Sequence, residues 1–411
     1  MKAISQVDPT QFPMPIESPW LDPHQVALHD ELETLRILQH RRSVEGLPTW
    51  DLSMVNPDLP PPRVLMDRLL EAVTKSSNHR YAVSRGVRRL REACSHKYRE
   101  RFGQVIDPET QVCVCLGSKD GSFHALRVLL RSGDAVVVPS PSYPAHPPAV
   151  SLAGGRSVFW EFSQDPAEAA ASLERVLKES GAVVLLLNAP TNPTGLTVSA
   201  SWWEAVGAVC ARHGVTIVND FVYGEMCFSG LPAESALQAE KQGARCVEVY
   251  SLSKAYNVPG WRVGALVGDA EIVRAVARMK SNADYGLFLP LQYAAAVALT
   301  SQDDLVRHTV QTYQRRLRVL ASGMHAMGWN VITPEAGACL WVQSPELVSV
   351  PRHSSYRSID TARHVLSQIG VVVTPGVVFG ARWDGWMRLA AVTNEERLRE
   401  VVRALQNLFQ E

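Results

Sequence analysis

The sequence lacks what would tie it to a charged polymer or a lipid bilayer. Its 41 basic and 41 acidic residues cancel, so the net positive charge that nucleic acid and anionic membranes reward is missing. Long hydrophobic runs are missing as well. The longest aliphatic stretch, "AVVLLL" at 182–187, is about a third of a bilayer-spanning helix and reads as a buried strand. The opening "MKAISQVDPTQFPMPIESPW" holds no apolar core of signal-peptide length. The seven cysteines are an odd number without framework spacing. Cys113 and Cys115, with one residue between them, suit a strand better than a metal knuckle. Neither a His-Glu-x-x-His nor a Cys-x-x-Cys motif occurs, so no metal is expected. These absences point to a cytoplasmic protein with reduced, buried thiols and with no nucleic-acid or membrane partner.

What is present is an ordinary globular composition, 46% hydrophobic and 20% charged over 411 residues, a length that favours two domains. The first sixty residues are proline-rich, with a polar helix around "QVALHDELETLRILQH". A helix follows at "RVLMDRLLEAVTKS". From about residue 87 to 300, helical stretches alternate with apolar strands: "VRRLREACSHKYRERF" then "QVCVCLG", "GSFHALRVLL" then "DAVVVPSPSYP", "PAEAAASLERVLKES" then "AVVLLLNAPTNPTG", and "SWWEAVGAVCARHG" then "VTIVNDFVYGE" and "CVEVYSLSK". Such alternation predicts an α/β fold with a largely parallel sheet covered on both faces. Beyond residue 305 a long basic helix leads to short strands at "CLWVQS", "VVVTPG" and "WMRLAAV". The chain closes on a helix whose start carries a capping-box pair, Thr393 and Glu396. The expected division is an N-terminal arm with part of a small domain (1–60), a large domain (61–304) and a small C-terminal α/β domain (305–411).

Four loops at strand ends concentrate chemically useful side chains, where open α/β sheets keep their sites. "LGSKDG", with Gly117, Ser118 and Lys119, joins a strand to a helix and offers free backbone N–H groups to a phosphate. "NAPTNPTG" is a tight turn projecting the Asn192 amide. "NDFVYGE" ends an apolar strand on Asp220, a costly place for a carboxylate without a cationic partner, and adds Tyr223. "SLSKAYNVPGWRVG" sets Lys254 between small residues, with Ser251 and Arg262 nearby. Each loop alone has a plain structural explanation. Together they match the needs of pyridoxal phosphate: a lysine to condense with its aldehyde, a carboxylate to keep its pyridine nitrogen protonated, an amide and a phenol for its ring oxygen, and a phosphate cradle.

At this point the chain resembles the fold-type-I pyridoxal-phosphate enzymes of the class I/II aminotransferases, within them the alanine-aminotransferase-like branch. The resemblance covers roughly residues 48–405 and rests on "DLSMVNPDLPPP", "YAVSRGVRRLREA", "GSKDG", "PSYPAHPPAVSLAGG", "NAPTNPTG", "NDFVYGE", "SLSKAYNVPGWRVG", "DYGLFLPLQ" and "GWMRLA". It implies a large domain with a mostly parallel sheet between helices and a smaller C-terminal α/β domain. Lys254 would be the Schiff-base lysine and proton shuttle, and Asp220 the partner of the pyridine nitrogen. Asn192 and Tyr223 would bind the ring oxygen, and Tyr143 would stack on the ring. Gly117, Ser118, Lys119 (by backbone), Ser251 and Arg262 would hold the phosphate. Tyr81 would reach the phosphate from a second subunit, making a homodimer with shared sites. Arg388 would clamp the substrate carboxylate bidentately. The implied reaction moves an amino group between an α-amino acid and a 2-oxo acid.

Two positions depart from the family pattern. Val55 stands where glycine is usual, so the substrate pocket should be narrowed or reshaped. Leu289 replaces a small hydroxyl residue near the neighbouring subunit's site, removing a hydrogen bond and adding apolar bulk. Both departures leave a second reading open, in which the same cofactor serves a β- or γ-elimination, replacement or cyclisation on a specialised amino acid. A cofactor-binding regulator without turnover is the remote third, since no DNA-binding segment is attached and the lysine is intact.

Overall fold

The computed structural model describes residues 23–301, 304–344 and 353–410. The proline-rich arm at 1–22, whose role the sequence leaves open, lies outside these residues. The first strand, β1 (Trp50–Asp51), follows helix Pro23–Val44. The central sheet is built from β2 (Val112–Cys115), β3 (Ala135–Ser140), β4 (Arg156–Glu161), β5 (Val184–Leu187), β6 (Thr216–Asp220), β7 (Cys246–Ser251) and β8 (Gly264–Gly268). They lie in the order β2-β8-β7-β6-β5-β3-β4. Pairing from β7 through β6, β5 and β3 to β4 is parallel, whereas β8 runs antiparallel to both of its neighbours.

The strands form here because their side chains can be buried on both faces. Every residue of β2, β5, β6 and β7 is buried. Along β2 the side chains alternate: Val112 and Val114 join one hydrophobic layer, Cys113 and Cys115 the other, which is the period-two geometry of a strand. All seven cysteines are free and buried. Helices Pro166–Ser180 and Ala200–His213 cover one face. Trp202 and Trp203 on the second of them are fully buried, and their indole N–H groups are satisfied by the carbonyls of Ser163 and Glu234. Each such side chain contributes roughly 2–3 kcal/mol through area removed from water.

The antiparallel return of β8 has a consequence for the site. Parallel neighbours need a crossover of a dozen or more residues, usually with a helix. The step from β7 to β8 needs none, so segment 252–263 remains at the carboxyl end of β7 and carries Lys254 there. Neither β8 nor β4 is legible in the sequence. β8, "GALVG", is a short apolar run bracketed by glycines with no following crossover to mark it. β4 is an edge strand with charges at both ends and a mostly exposed or half-exposed pattern. Helices Ala270–Ala283 and Leu289–Leu299 were also not read from the sequence.

The remaining strands, β9 (Asn330–Ile332), β10 (Cys339–Gln343), β11 (Val371–Val372), β12 (Thr374–Pro375) and β13 (Trp386–Ala390), follow late in the chain. Four of them make an antiparallel sheet in the order β12-β13-β10-β9, and β11 pairs in parallel with β1. Gly370 adopts φ +73°, and a Cβ there would come within 2.2 Å of the Pro48 carbonyl. This glycine lets the early segment lie flat against the late one. The last helix, Glu395–Gln410, is capped one residue later than the sequence pattern predicts. Asn394 accepts from the Arg397 N–H at 2.9 Å, so Thr393 is not the N-cap and the Thr393–Glu396 box is not formed. Asn outranks Thr at this position. Among the described residues, no helix is long and apolar enough to cross a membrane.

Candidate active site

The carboxyl ends of β6 and β7, the N-terminus of helix Ser118–Leu129 and the loop 52–58 enclose a cavity of about 340 Å³. Val55, Ser118, Lys119, Tyr143 and Asn192 line it, together with Asp220, Tyr223, Lys254, Arg262 and Arg388. Residues scattered over more than 330 positions are thus brought to one place.

Lys254 sits at the centre. Its ammonium donates to the Val55 carbonyl. Burial, and then the charges of Arg388 and Arg262, push its pKa down to about 8. The Val55 loop is pinned from behind by Arg316, whose guanidinium makes two bonds to the Asp58 carboxylate at 2.6 and 2.8 Å. Val55 is not among the residues with positive φ, so its backbone does not require glycine, and its isopropyl group occupies cavity wall.

Asp220 ends β6 with a side chain 2% exposed. Its Oδ2 accepts from the Ser118 hydroxyl at 3.3 Å and lies 3.8 Å from His146 Nε2. Its Oδ1 is buried with no hydrogen-bond partner, and so are both ring nitrogens of His146. Orphaned buried polar atoms of this kind are rare and mark a missing ligand or a functional role. The neighbouring backbone is tied down by amides. Asn188 donates to the Asp220 carbonyl at 2.7 Å and accepts from the Asn192 N–H at 2.9 Å. Asn219 bonds both backbone groups of Ala189.

Gly117 forms the N-cap of helix Ser118–Leu129 with φ +82°. A Cβ on it would lie 2.4 Å from Arg262 Nη2. The glycine thus lets a guanidinium pack on the backbone where a helix N-terminus already favours anions. Arg262 itself adopts the left-handed φ of +54°. Ser251 is the last residue of β7. It is buried, with its hydroxyl donating to Ser253 Oγ at 2.9 Å, and Ser253 is the serine that lines the cavity. Ser251 belongs to the strand, whereas Ser253 lies beyond its end.

At the other end of the cavity, Arg388 on β13 donates to Asn192 Oδ1 at 3.0 Å, to Thr374 Oγ1 at 3.2 Å and to the Ser53 carbonyl. Its guanidinium lies 5.1 Å from the centre of the Phe379 ring, and its Nε is buried without a partner. Tyr143 meets His146 edge-on at 5.3 Å, and burial raises its phenol to about 12. Burial also pushes Tyr223 well up. Tyr81 and Leu289 do not line this chain's cavity. Tyr81 is 83% exposed and pairs with Tyr285 at 4.6 Å; Leu289 begins helix Leu289–Leu299 and is half-buried.

Sequence reasoning missed His146, Asn188 and Ser253. His146 stands three residues after Tyr143 at a helix start, an (i, i+3) spacing that could have flagged a shared face. A separate polar group, Asp120, His124 and Asp284, has ligand atoms within 4.8 Å of one another. There the Lys280 ammonium already supplies the cation, at 3.3 Å from Asp120 and 2.7 Å from Asp284.

A mostly parallel sheet with one antiparallel strand, a lysine in the loop after β7 and an aspartate at the end of β6 define the class of fold-type-I pyridoxal-phosphate enzymes. Residues 49–405 match the family model described as aminotransferase class I and II, and the chain belongs to that family. It is 37% identical to the glutamate-pyruvate aminotransferase AlaC of Escherichia coli (strain K12), over 87% of this chain and 86% of that protein. It is 34% identical to the LL-diaminopimelate aminotransferase of Dehalococcoides mccartyi (strain CBDB1), over 89% and 92%. Among solved structures, substrate-bound BacF from Bacillus subtilis superposes with a TM-score of 0.81 at 29% identity, covering 95% of each chain.

Proposed function

We propose that this aminotransferase holds pyridoxal 5′-phosphate in the Lys254 cavity and moves an amino group between an α-amino acid and a 2-oxo acid. The observation that carries this reading is the unpartnered, buried Asp220 Oδ1 in the same cavity as a lysine whose pKa burial lowers. The residues fit the cofactor. Asp220, held by Ser118 and faced by His146, would meet a ring N–H. Gly117, Ser118, Lys119, Ser251, Ser253 and Arg262 would cradle a phosphate, and Asn192 and Tyr223 would serve a ring oxygen, with Tyr143 and Val222 against the ring faces. When bound, the cofactor supplies an aldehyde for amine exchange and a ring that accepts electrons from the substrate carbon.

The chain's own groups do the rest. Lys254, with its pKa near 8, is partly neutral close to physiological pH and can take a proton from the substrate α-carbon and return one. Arg388 offers Nε–H and an Nη–H to the substrate carboxylate, already oriented by Asn192, Thr374 and the Ser53 carbonyl. The exposed Tyr81–Tyr285 pair supports a homodimer in which Tyr81 serves the partner's site. The division into a large domain (61–304) and a small domain joined by the N-terminal segment belongs to the same proposal.

The test is a half-reaction: purified, cofactor-loaded protein mixed with single amino acids and no oxo acid. Stoichiometric pyridoxamine phosphate with the matching oxo acid is the expected result. Cofactor left in the aldehyde form while the substrate loses a side-chain group would overturn it in favour of elimination or replacement.

A further inference from the structure

A second cavity, of about 520 Å³, opens off the first and shares Met54, Lys119, Tyr143 and Arg388 with it. Its roof is helix Pro23–Val44 and its floor is the stretch from β11 to Val378. Neither the proposed cofactor set nor the carboxylate clamp accounts for this outer chamber.

Its walls have a clear chemical character. Leu32, Leu35, Pro144, Val372, Val373 and Val378 give it an apolar middle, and Leu35, Val372 and Val373 are themselves buried. Among the described residues that line it there is no aspartate or glutamate, whereas His29, Arg36, Lys119 and Arg388 all contribute. Arg36 is paired with Glu33 at 3.0 Å on an exposed helix face. The Lys119 ammonium lies 6.0 Å from the centre of the Tyr143 ring, at the junction of the two cavities. A ligand whose carboxylate is held by Arg388 would therefore find an apolar space beyond it, with Lys119 at its entrance and no aspartate or glutamate among the described residues that line it.

We propose that the outer chamber is the subsite for the substrate side chain and selects amino acids with a bulky apolar side chain against those with a distal ammonium. The proposal rests on Arg388 binding the substrate carboxylate, as in the proposed function. Two physical terms act together. Burying a side chain the size of Leu or Phe is worth roughly 1.5–3 kcal/mol, or about ten- to a hundredfold in affinity. A distal ammonium would lose its hydration in a space whose described lining residues offer no carboxylate to pair with.

The experiment is calorimetric titration of the holoenzyme with unreactive monocarboxylates. Hydrocinnamate is expected to bind about tenfold or more tightly than propionate, and aminocaproate, used as its N-trimethyl derivative so that it cannot condense with the cofactor aldehyde, more weakly than caproate. Ala145 lines the chamber at half-burial, and Ala145→Phe should fill it, so that the advantage of hydrocinnamate disappears while the loss spares propionate. If that variant does not fold, Leu32→Glu replaces it and should restore aminocaproate binding. Equal affinity for hydrocinnamate and propionate, or aminocaproate binding as well as caproate, would overturn the proposal. So would a preference that appears only after residues 1–22 are removed, because the chamber would then be filled by the chain itself. These readouts need no turnover. A holoenzyme that binds hydrocinnamate selectively yet yields no pyridoxamine phosphate from any amino acid would sink the proposed reaction and leave the subsite standing.

Discussion

The two ends of the Lys254 cavity are built by different means. The cofactor end is the rim of one sheet. Asp220 ends β6, Lys254 follows β7 and Ser118 opens the helix after β2, and buried amides from Asn188 and Asn219 lock the loops between them. The substrate end is assembled from remote pieces. Arg388 on β13 is held by Ser53 from the start of the chain, Thr374 on β12 and Asn192 on a loop of the large sheet. A rim built from neighbouring strands fixes the chemistry rigidly. A clamp assembled from separate segments can be reshaped without disturbing it, which suits a family whose relatives are named for different substrates.

The most severe way to break the comparison is at its centre. Lys254→Ala should lower kcat by at least ~10³-fold in single-turnover assays, with the fold unchanged by circular dichroism. Next, Arg388→Lys should remove the bidentate clamp and lower kcat/KM by roughly a hundredfold while leaving cofactor affinity unchanged. A loss of cofactor would mean that the two ends are not separable. At the cofactor end, His146→Asn should weaken cofactor binding by about tenfold with little change in KM, measured by equilibrium dialysis. Smaller still is the contrast between two serines: Ser253→Ala should loosen the cofactor a fewfold more than Ser251→Ala does.

Because burial holds Lys254 near 8 rather than 10.5, the folded cofactor-free protein binds fewer protons than the unfolded chain between those values, and this group's penalty is present in full below pH 8. Lys254→Met should therefore raise the melting temperature of the cofactor-free protein at pH 7, and the gain should fade as pH rises toward 10.5. A gain that is the same at both pH values would show that packing, not charge burial, is responsible.

The same division explains what could be read from the sequence. Lys254, Asp220, Asn192, Tyr223 and Tyr143 each stand in a short motif at a strand end, so the local pattern announces both the strand and the side chain that leaves it. Ser253 was not legible because two serines two residues apart look alike until the end of β7 separates them. His146 was passed over as part of the tyrosine's motif. The strands β4 and β8 escaped because one is a charged edge and the other returns without a helix. The bond of Arg388 to Ser53 and the outer chamber depend on contacts across more than 300 residues, for which periodicity and turn chemistry carry no signal. Val55 was legible as a departure, and the structure adds that its carbonyl, rather than its side chain alone, faces Lys254.

The pairing of Trp50–Asp51 with Val371–Val372 also constrains how the protein is made. During synthesis, β1 emerges more than 300 residues before the strand that will hold it. It must wait, with its apolar residues uncovered, until the last quarter of the polypeptide is available, and closing so long a loop is slow. The large sheet can form in the meantime. The outer chamber is therefore among the last parts to settle, and a chain truncated near residue 370 would keep the rim of the large sheet but lose the chamber's floor and Arg388 with it.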